Sequence, residues 1–459
     1  MSISSESSGF ISGEQSTRGN WGSRLGFILA ASGSAIGLGN IWKFPYITGV
    51  YGGAAFVLVY LGCVVIVGLP LMMAELMIGR HSMKNPVGAF KALHKPSSPW
   101  QMTGWLGVAS GFVILSFYSV VAGWAMAYIF KSFAGFSGTP EQIQAGFESL
   151  VNHPFASILW HTVFMVLCIG IVIGGVQRGI ERWSKILMPS LFLILLGLMF
   201  YGLFFTHGGG KAIDFLFKPD FHKLSAEAVL SALGHAFFTL SLGMGAMLTY
   251  GSYMRRDESI TRDAVVVSVL DTVVALIAGV AIYSLVFNYQ TDPAAGPGLI
   301  FKTLPVLFAQ TGPLVSVPFF VLLTFAALTS GISLLEVVVA YFIDERGWSR
   351  HKATLLMGGI IWALGLLSAI AAITVPFRGR EQGFFDIFDF ISTNYMLPIG
   401  GLFTCLFAAW VMKESDKVAE LGRKGPLYKG LIFVLRYVTP IAVFIVLLHG
   451  LELLPFMDY

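Results

Sequence analysis

Asp271 stands in SVLDTVVALIAG, a segment with no other charge. A carboxylate at bilayer depth costs about 2.5–3.5 kcal/mol on an insertion scale, so it marks a functional site by default. The alternative is a protonated aspartic acid bonded to a backbone carbonyl. Glu336 lies in a second apolar segment and calls for a buried polar contact. His235 lies in a third, as a satisfied structural histidine or as a source of pH sensitivity. The run Gly37-Leu38-Gly39-Asn40 interrupts a fourth. Each glycine costs a helix about 1 kcal/mol, and two of them beside an amide weaken it beyond what packing needs. Gly33 and Gly37 by themselves also fit close helix packing through small-xxx-small contacts. None of these groups forms a reaction centre. A membrane-embedded enzyme needs a convergent nucleophile, acid–base pair or metal cluster, and the nine histidines form no HExxH or similar set. Cys63, Cys168 and Cys405 sit inside apolar runs as small buried hydrophobes, with spacing that fits neither a metal site nor a disulfide framework. The chemistry on offer is binding in mid-membrane, with no catalytic residues.

The elements that carry these groups are apolar runs of about 20 residues, the length that crosses ~30 Å of hydrocarbon as a helix. Of 459 residues, 56% are hydrophobic and 12% charged, about half the charged fraction of a soluble domain. Mean hydropathy is +0.76. Eleven spans are predicted, over 24–45, 51–79, 101–131, 155–176, 183–205, 228–254, 261–288, 313–343, 353–374, 384–412 and 430–455. Several exceed 25 residues and so tilt or extend beyond the bilayer. Residues 1–20 are rich in Ser and Gly, lack the features of a signal peptide, and read as a flexible cytoplasmic tail. Arg18 and Arg24, Arg80 to Lys95, Arg178 and Arg182, Arg255 to Arg262, Arg346 to Lys352, and Lys413 to Lys424 fall on one side. The positive-inside rule makes that side cytoplasmic and puts Tyr459 outside. The basic residues lie in short loops without interleaved aromatics, which speaks against nucleic acid.

The first span reads GSAIGLGNIW and the sixth FFTLSLGMGAM. Paired glycine-interrupted segments five spans apart point to inverted repeats around a central site. The fold class is therefore an all-α membrane protein with eleven helices. Residues 21–205 and 206–412 form two inverted five-helix repeats with broken helices 1 and 6, and residues 413–459 hold the eleventh helix.

The stretch Trp21 to Tyr46, with GNIWKFPY at its end, resembles the first helix of the neurotransmitter:sodium symporter family. The resemblance extends over nearly the whole chain through FFTLSLGMG, ALTSGIS and FDIFDF. It is that of a bacterial member with short termini. The resemblance implies two sodium sites. Sodium is a hard cation that takes oxygen ligands, including carbonyls freed where a helix unwinds. The first site maps onto the Ala35 carbonyl, Asn40, Thr239, Asp271 and the substrate carboxylate. The second maps onto the carbonyls of Gly33, Ile36 and Ala326 and the hydroxyls of Thr329 and Ser330. By themselves Thr329 and Ser330 fit back-bonding to their own helix equally well.

Chloride-dependent relatives carry a neutral amide at the position of Asp271, and some bacterial relatives an acid at that of Ala275. Asp271 is therefore expected to supply the negative charge itself, without chloride, and sodium to compete with protons there. The substrate carboxylate is expected at the amides of Leu38 and Gly39 and the Tyr118 hydroxyl, where freed N–H groups suit an anion. The ammonium is expected near Thr239 and Ser241. Gly37 stands where monoamine carriers place an aspartate, which implies amino acids as substrates. Ile114, Tyr118, Phe238, Met244, Ser330 and Leu334 match the side-chain pocket, which is expected to be roomy and apolar. Taken singly, Ile114, Met244 and Leu334 fit plain core packing.

Lys43 and Asp389 match the outer gate, with Tyr118 and Phe238 as an aromatic lid beneath it. Lysine lacks arginine's bidentate fork, so this gate is expected to be weak. Arg18, Trp21 and Asp344 match the inner gate, though Arg18 and Asp344 alone fit topology charge. By the same resemblance, the spacing of Gly179 and Pro189 implies a fifth helix that can unwind at its inner end. The expected function is sodium-coupled import of branched-chain or aromatic L-amino acids by alternating access across the bacterial inner membrane. The partners are the substrate and the lipid bilayer. An uncoupled channel or an amino-acid receptor on the same scaffold is the alternative.

Overall fold

The computed structural model describes residues 19–293, 296–422 and 425–454. The Arg18 assignment and most of the predicted tail lie outside them. Helix α1 spans Arg24–Ala35 and starts at Ser23, whose hydroxyl accepts the Gly26 N–H. It stops where Ile36 turns extended, at ψ 96°. The chain resumes as α2, Gly39–Val50, bent by 49° from α1. The break falls on the predicted glycine run. There the Asn40 Oδ1 accepts the Gly37 N–H at 3.1 Å, replacing a lost helical bond.

The helices that follow are α3 (Ala54–Ser82), α4 (Pro86–Leu93), α5 (Gln101–Ala134), α6 (Pro140–Asn152), α7 (Pro154–Ile173) and α8 (Val176–Phe205). Then come α9 (Gly209–Phe217), α10 (Ala226–Thr239), α11 (Ala246–Gly251), α12 (Ile260–Asn288), α13 (Thr303–Thr311), α14 (Pro313–Arg346) and α15 (Arg350–Ala369). The hairpin β1 (Thr374–Phe377) and β2 (Arg380–Gly383) precedes α16 (Phe384–Val411), α17 (Glu414–Leu421) and α18 (Pro426–Gly450). Among the described residues nine continuous helices are long and apolar enough to cross a membrane, or ten with α1 and α2 as one bent crossing.

Helices α10 and α11 are separated by residues 240–245, the second break that the glycines foretold. Gly243 and Gly245 there take φ of +80° and +74°, conformations that a side chain disfavours. Ser241 takes φ +54° with a side chain in place. The 34-residue helices α5 and α14 pack along each other, and α14 is the most enclosed of the long helices.

The ninth span ends at Ala369, five residues before its predicted end at 374. Thr374–Phe377 pairs with Arg380–Gly383 in register Thr374↔Gly383. Arg378 and Gly379 both have positive φ, as a two-residue hairpin turn requires. Hydropathy does not distinguish helix from strand in this apolar run, whereas the β-branched Ile373, Thr374 and Val375 before Pro376 favour the strand.

Candidate functional site

The two helix breaks face each other across α5 and α14. Between them lies a cavity lined by Ala35, Gly37, Leu38, Gly39, Ile114, Tyr118, Phe238, Thr239, Ser241, Met244, Ser330 and Leu334. These are all twelve of the residues the sequence assigned to substrate, and Ser34 and Ser333 join them. The Ser34 hydroxyl donates to Ser333 at 2.8 Å. The Leu38 N–H donates to the Tyr118 hydroxyl at 3.4 Å, so the groups expected to take a carboxylate adjoin. A Cβ on Gly37 would come within 2.6 Å of Ser330 Oγ and 3.1 Å of the Tyr118 hydroxyl, so any side chain there would fill the cavity. The cavity measures about 30 Å³. Ile114, Met244 and Leu334, expected to line a roomy apolar pocket, form part of the wall of this space. Methionine's three rotatable bonds let such a wall give way.

Asp271 lies beside this cavity and is fully buried. Its Oδ1 accepts from Asn40 Nδ2 at 2.8 Å and from the Thr239 hydroxyl at 3.1 Å. Its Oδ2 accepts from the Tyr60 hydroxyl at 3.4 Å. The structure therefore brings Asn40, Thr239 and Asp271 together, with Ala35 on the adjoining cavity wall. These are hard oxygen groups, a set suited to a small hard cation.

At the predicted second ion site the Ser330 hydroxyl crosses to the carbonyls of Gly33 (3.3 Å) and Ser34 (3.1 Å). The Thr329 hydroxyl bonds back to Phe325 and Ala326 of its own helix. Thr329 thus back-bonds to its own helix, while Ser330 ties α14 to the end of α1. A Cβ on Gly33 would meet Thr329 Cβ at 3.0 Å and Met188 Sδ at 3.2 Å, so α1, α8 and α14 close tightly here.

A second cavity of about 210 Å³ lies on the Lys43 side, lined by Trp42, Lys43, Tyr46, Phe385, Asp386 and Asp389 among others. Leu38, Tyr118 and Phe238 line both cavities and so partition them. Lys43 and Asp389 share this cavity but form no ion pair with each other. The Lys43 ammonium lies 4.8 Å from the centre of the Phe238 ring, and Asp389 accepts from Thr393 at 3.3 Å. The expected ionic gate is thus a cation on an aromatic face. Lysine's single point charge, without a guanidinium's planar fork, is satisfied by the ring quadrupole.

At the opposite end Trp21 is buried, and its indole N–H donates to the Tyr250 carbonyl at 3.0 Å. Asp344 accepts from the Asn85 N–H and Nδ2 at 2.9 and 3.1 Å. Glu336 finds its partners in Tyr253 (2.6 Å) and Arg350 (2.7 and 2.9 Å). His235 packs between Phe44 and Tyr60, and neither ring nitrogen bonds to another described residue.

Sequence reading passed over Glu75. It is buried on α3, and its Oε1 accepts the Gly243 N–H at 2.7 Å, supplying the acceptor that the broken α10–α11 segment lacks. A lone carboxylate in an apolar span was the same signal that singled out Asp271. Tyr60 carried no such signal in a chain that is 14% aromatic.

The model of the sodium:neurotransmitter symporter family matches residues 18–138 and 142–459. The chain is 39% identical over 447 residues to a sodium-dependent transporter, YhdH, of Bacillus subtilis (strain 168), covering 95% of this chain and 98% of that one. It is 34% identical over 429 residues to the sodium-dependent transporter MJ1319 of Methanocaldococcus jannaschii, covering 88% and 84%. Among solved structures it resembles that of MhsT in complex with L-phenylalanine. The TM-score is 0.86 and the identity 45%, over 94% of this chain and all of that one.

Proposed function

Since the chain belongs to the sodium:neurotransmitter symporter family, whose members are membrane transporters and not enzymes, we propose that it imports hydrophobic L-amino acids, branched-chain or aromatic, on a sodium gradient. One observation carries this reading. Twelve residues from α1, the break at 36–38, α2, α5, α10, the break at 240–245 and α14 converge on one cavity, and the Asn40–Thr239–Asp271 cluster adjoins it. The L-phenylalanine held by the solved relative supports a large apolar side chain. The glycine at 37 leaves the acidic role to the substrate's own carboxylate.

Two sodium ions travel with the substrate, the first at Ala35, Asn40, Thr239 and Asp271, the second at Gly33, Ile36, Ala326, Thr329 and Ser330. Buried Asp271 provides the negative charge, so transport runs without chloride. Counting α10 and α11 as one crossing gives eleven spans, which the paired breaks in α1–α2 and α10–α11 arrange as two inverted five-helix repeats. The N-terminus is cytoplasmic in a bacterial inner membrane. The Lys43 cavity is then the outer vestibule, where Lys43, resting on the Phe238 ring, and Asp389 in the same cavity lining serve as the gate. Arg18, Trp21 and Asp344 serve the inner gate.

Uptake into proteoliposomes tests this. Leucine, tryptophan, tyrosine, glycine and a monoamine are offered with an inward sodium gradient, with potassium in place of sodium, and with gluconate in place of chloride. Sodium-driven, chloride-indifferent accumulation of the large apolar amino acids is expected. Accumulation of none of them on the sodium gradient would refute the reading.

A further inference from the structure

At the inner end of α8, Glu181 is almost wholly buried, yet it faces another helix's first turn. Its Oε2 accepts the Gly22 N–H at 2.6 Å. Its Oε1 accepts from the Ser23 hydroxyl at 2.9 Å and from Lys185 at 2.6 Å. Gly22 and Ser23 lead directly into α1, which has no acidic residue in its own first turn. Glu181 thus brings an anion from a different element to the positive end of α1. The approach needs a glycine. A Cβ on Gly26 would come within 2.2 Å of Glu181 Oε1.

Glu181 is also the last residue of a wide turn, Val176–Glu181, entered through Gly175 at φ +77°. Rewinding or unwinding that turn by one residue swings the side chain through about 100°. The carboxylate then leaves α1, while Lys185, one turn on in the same helix, still holds it. Two turns further along the same face, Met188 presses on Gly33 and sits beside Thr329.

We infer that Glu181 is a positioning residue that latches the N-terminus of α1 to the inner turn of α8, so that opening of the turn and release of α1 occur as one event. The cytoplasmic path to the second ion site is shut while the latch holds. This rests on the symport reading for its direction, but the latch is measurable without transport.

The reporter is Ser184→Cys, a near-isosteric change at a buried position on the same α8 face as Glu181 and Met188. Membrane-impermeant fluorescein maleimide is applied in inside-out vesicles, and the same protein without the reporter corrects for Cys63. Adding Glu181→Ala should speed labelling about tenfold or more, since it removes the charge-assisted hydrogen bonds to both Gly22 and Ser23. Glu181→Gln, which keeps an acceptor oxygen, should fall between. Gly26→Ala, which displaces the carboxylate without removing it, should raise the rate as Glu181→Ala does. It stands in if Glu181→Ala yields no monodisperse protein. An unchanged rate in a folded Glu181→Ala or Gly26→Ala protein overturns the latch. The ratio is read in sodium and in potassium. A raised ratio with no sodium dependence of labelling or of L-phenylalanine binding would keep the latch and refute the symport reading.

Discussion

Asp271 collects hydrogen bonds from Asn40, Thr239 and Tyr60 and, among the described residues, takes no cationic side chain as partner. In a fully buried position this leaves a sodium ion as the proposed counter-charge. Asp271→Asn should therefore cut sodium-driven uptake about tenfold or more, since a hydrogen bond to a buried charge carries about 1.5–3 kcal/mol. Full, chloride-independent uptake by that variant would sink the proposal. Gly37→Ala tests the cavity floor. Its methyl would come within 2.6 Å of Ser330 Oγ, and binding of L-phenylalanine should weaken measurably while the protein's melting temperature holds. A melting temperature that fell with the affinity would point to packing instead. Glu75→Ala leaves the Gly243 N–H without its acceptor, at a cost of about 1–3 kcal/mol. Thermal unfolding in detergent should show that loss, and Glu75→Gln, which keeps an acceptor oxygen, should show less.

At the scale of elements, each break is a helix that stops where its backbone bonds are met by something else. Asn40 takes the Gly37 N–H in the first, and Glu75 takes the Gly243 N–H in the second. That substitution lets irregular backbone persist at membrane depth, because the freed groups line a protein cavity and never meet lipid. The inner turn of α8 differs, since it is held by packing against α7. A Cβ on Gly179 would lie 2.1 Å from the Ile171 carbonyl oxygen, a backbone atom with little room to move. Gly179→Ala should force this turn apart, so Ser184→Cys in that background should label faster from the cytoplasmic side. Slower or unchanged labelling would mean that α7 yields and the turn does not.

Over the whole molecule, buried ion pairs tie separate helices together on the Trp21 side. Arg350 on α15 bonds Glu336 on α14 twice and the Val172 carbonyl of α7 once, while Tyr253 completes the group. Removing one partner of a buried pair typically costs about 3–5 kcal/mol, because the other charge is stranded. Arg350→Ala should therefore lower the melting temperature more than the double variant Glu336→Gln, Arg350→Gln. Equal losses would show that packing of the arginine stem, and not the stranded carboxylate, dominates.

The helical membrane fold and both helix breaks were legible in the residues themselves, and the residues of the central cavity through the family resemblance. Hydropathy follows from composition over about 20 residues, glycine's helix cost is local, and motif spacing survives translation into three dimensions. Asp271 was legible because a lone charge in an apolar run is an anomaly along one dimension. Other features depend on which atoms face each other across hundreds of residues. Arg350 is the partner of Glu336, Glu181 the partner of Gly22 and Ser23, and Phe238 the partner of Lys43 in place of Asp389. Local propensity sets where a helix starts and stops, whereas the pairing of buried charges is chosen by packing, which no single segment contains.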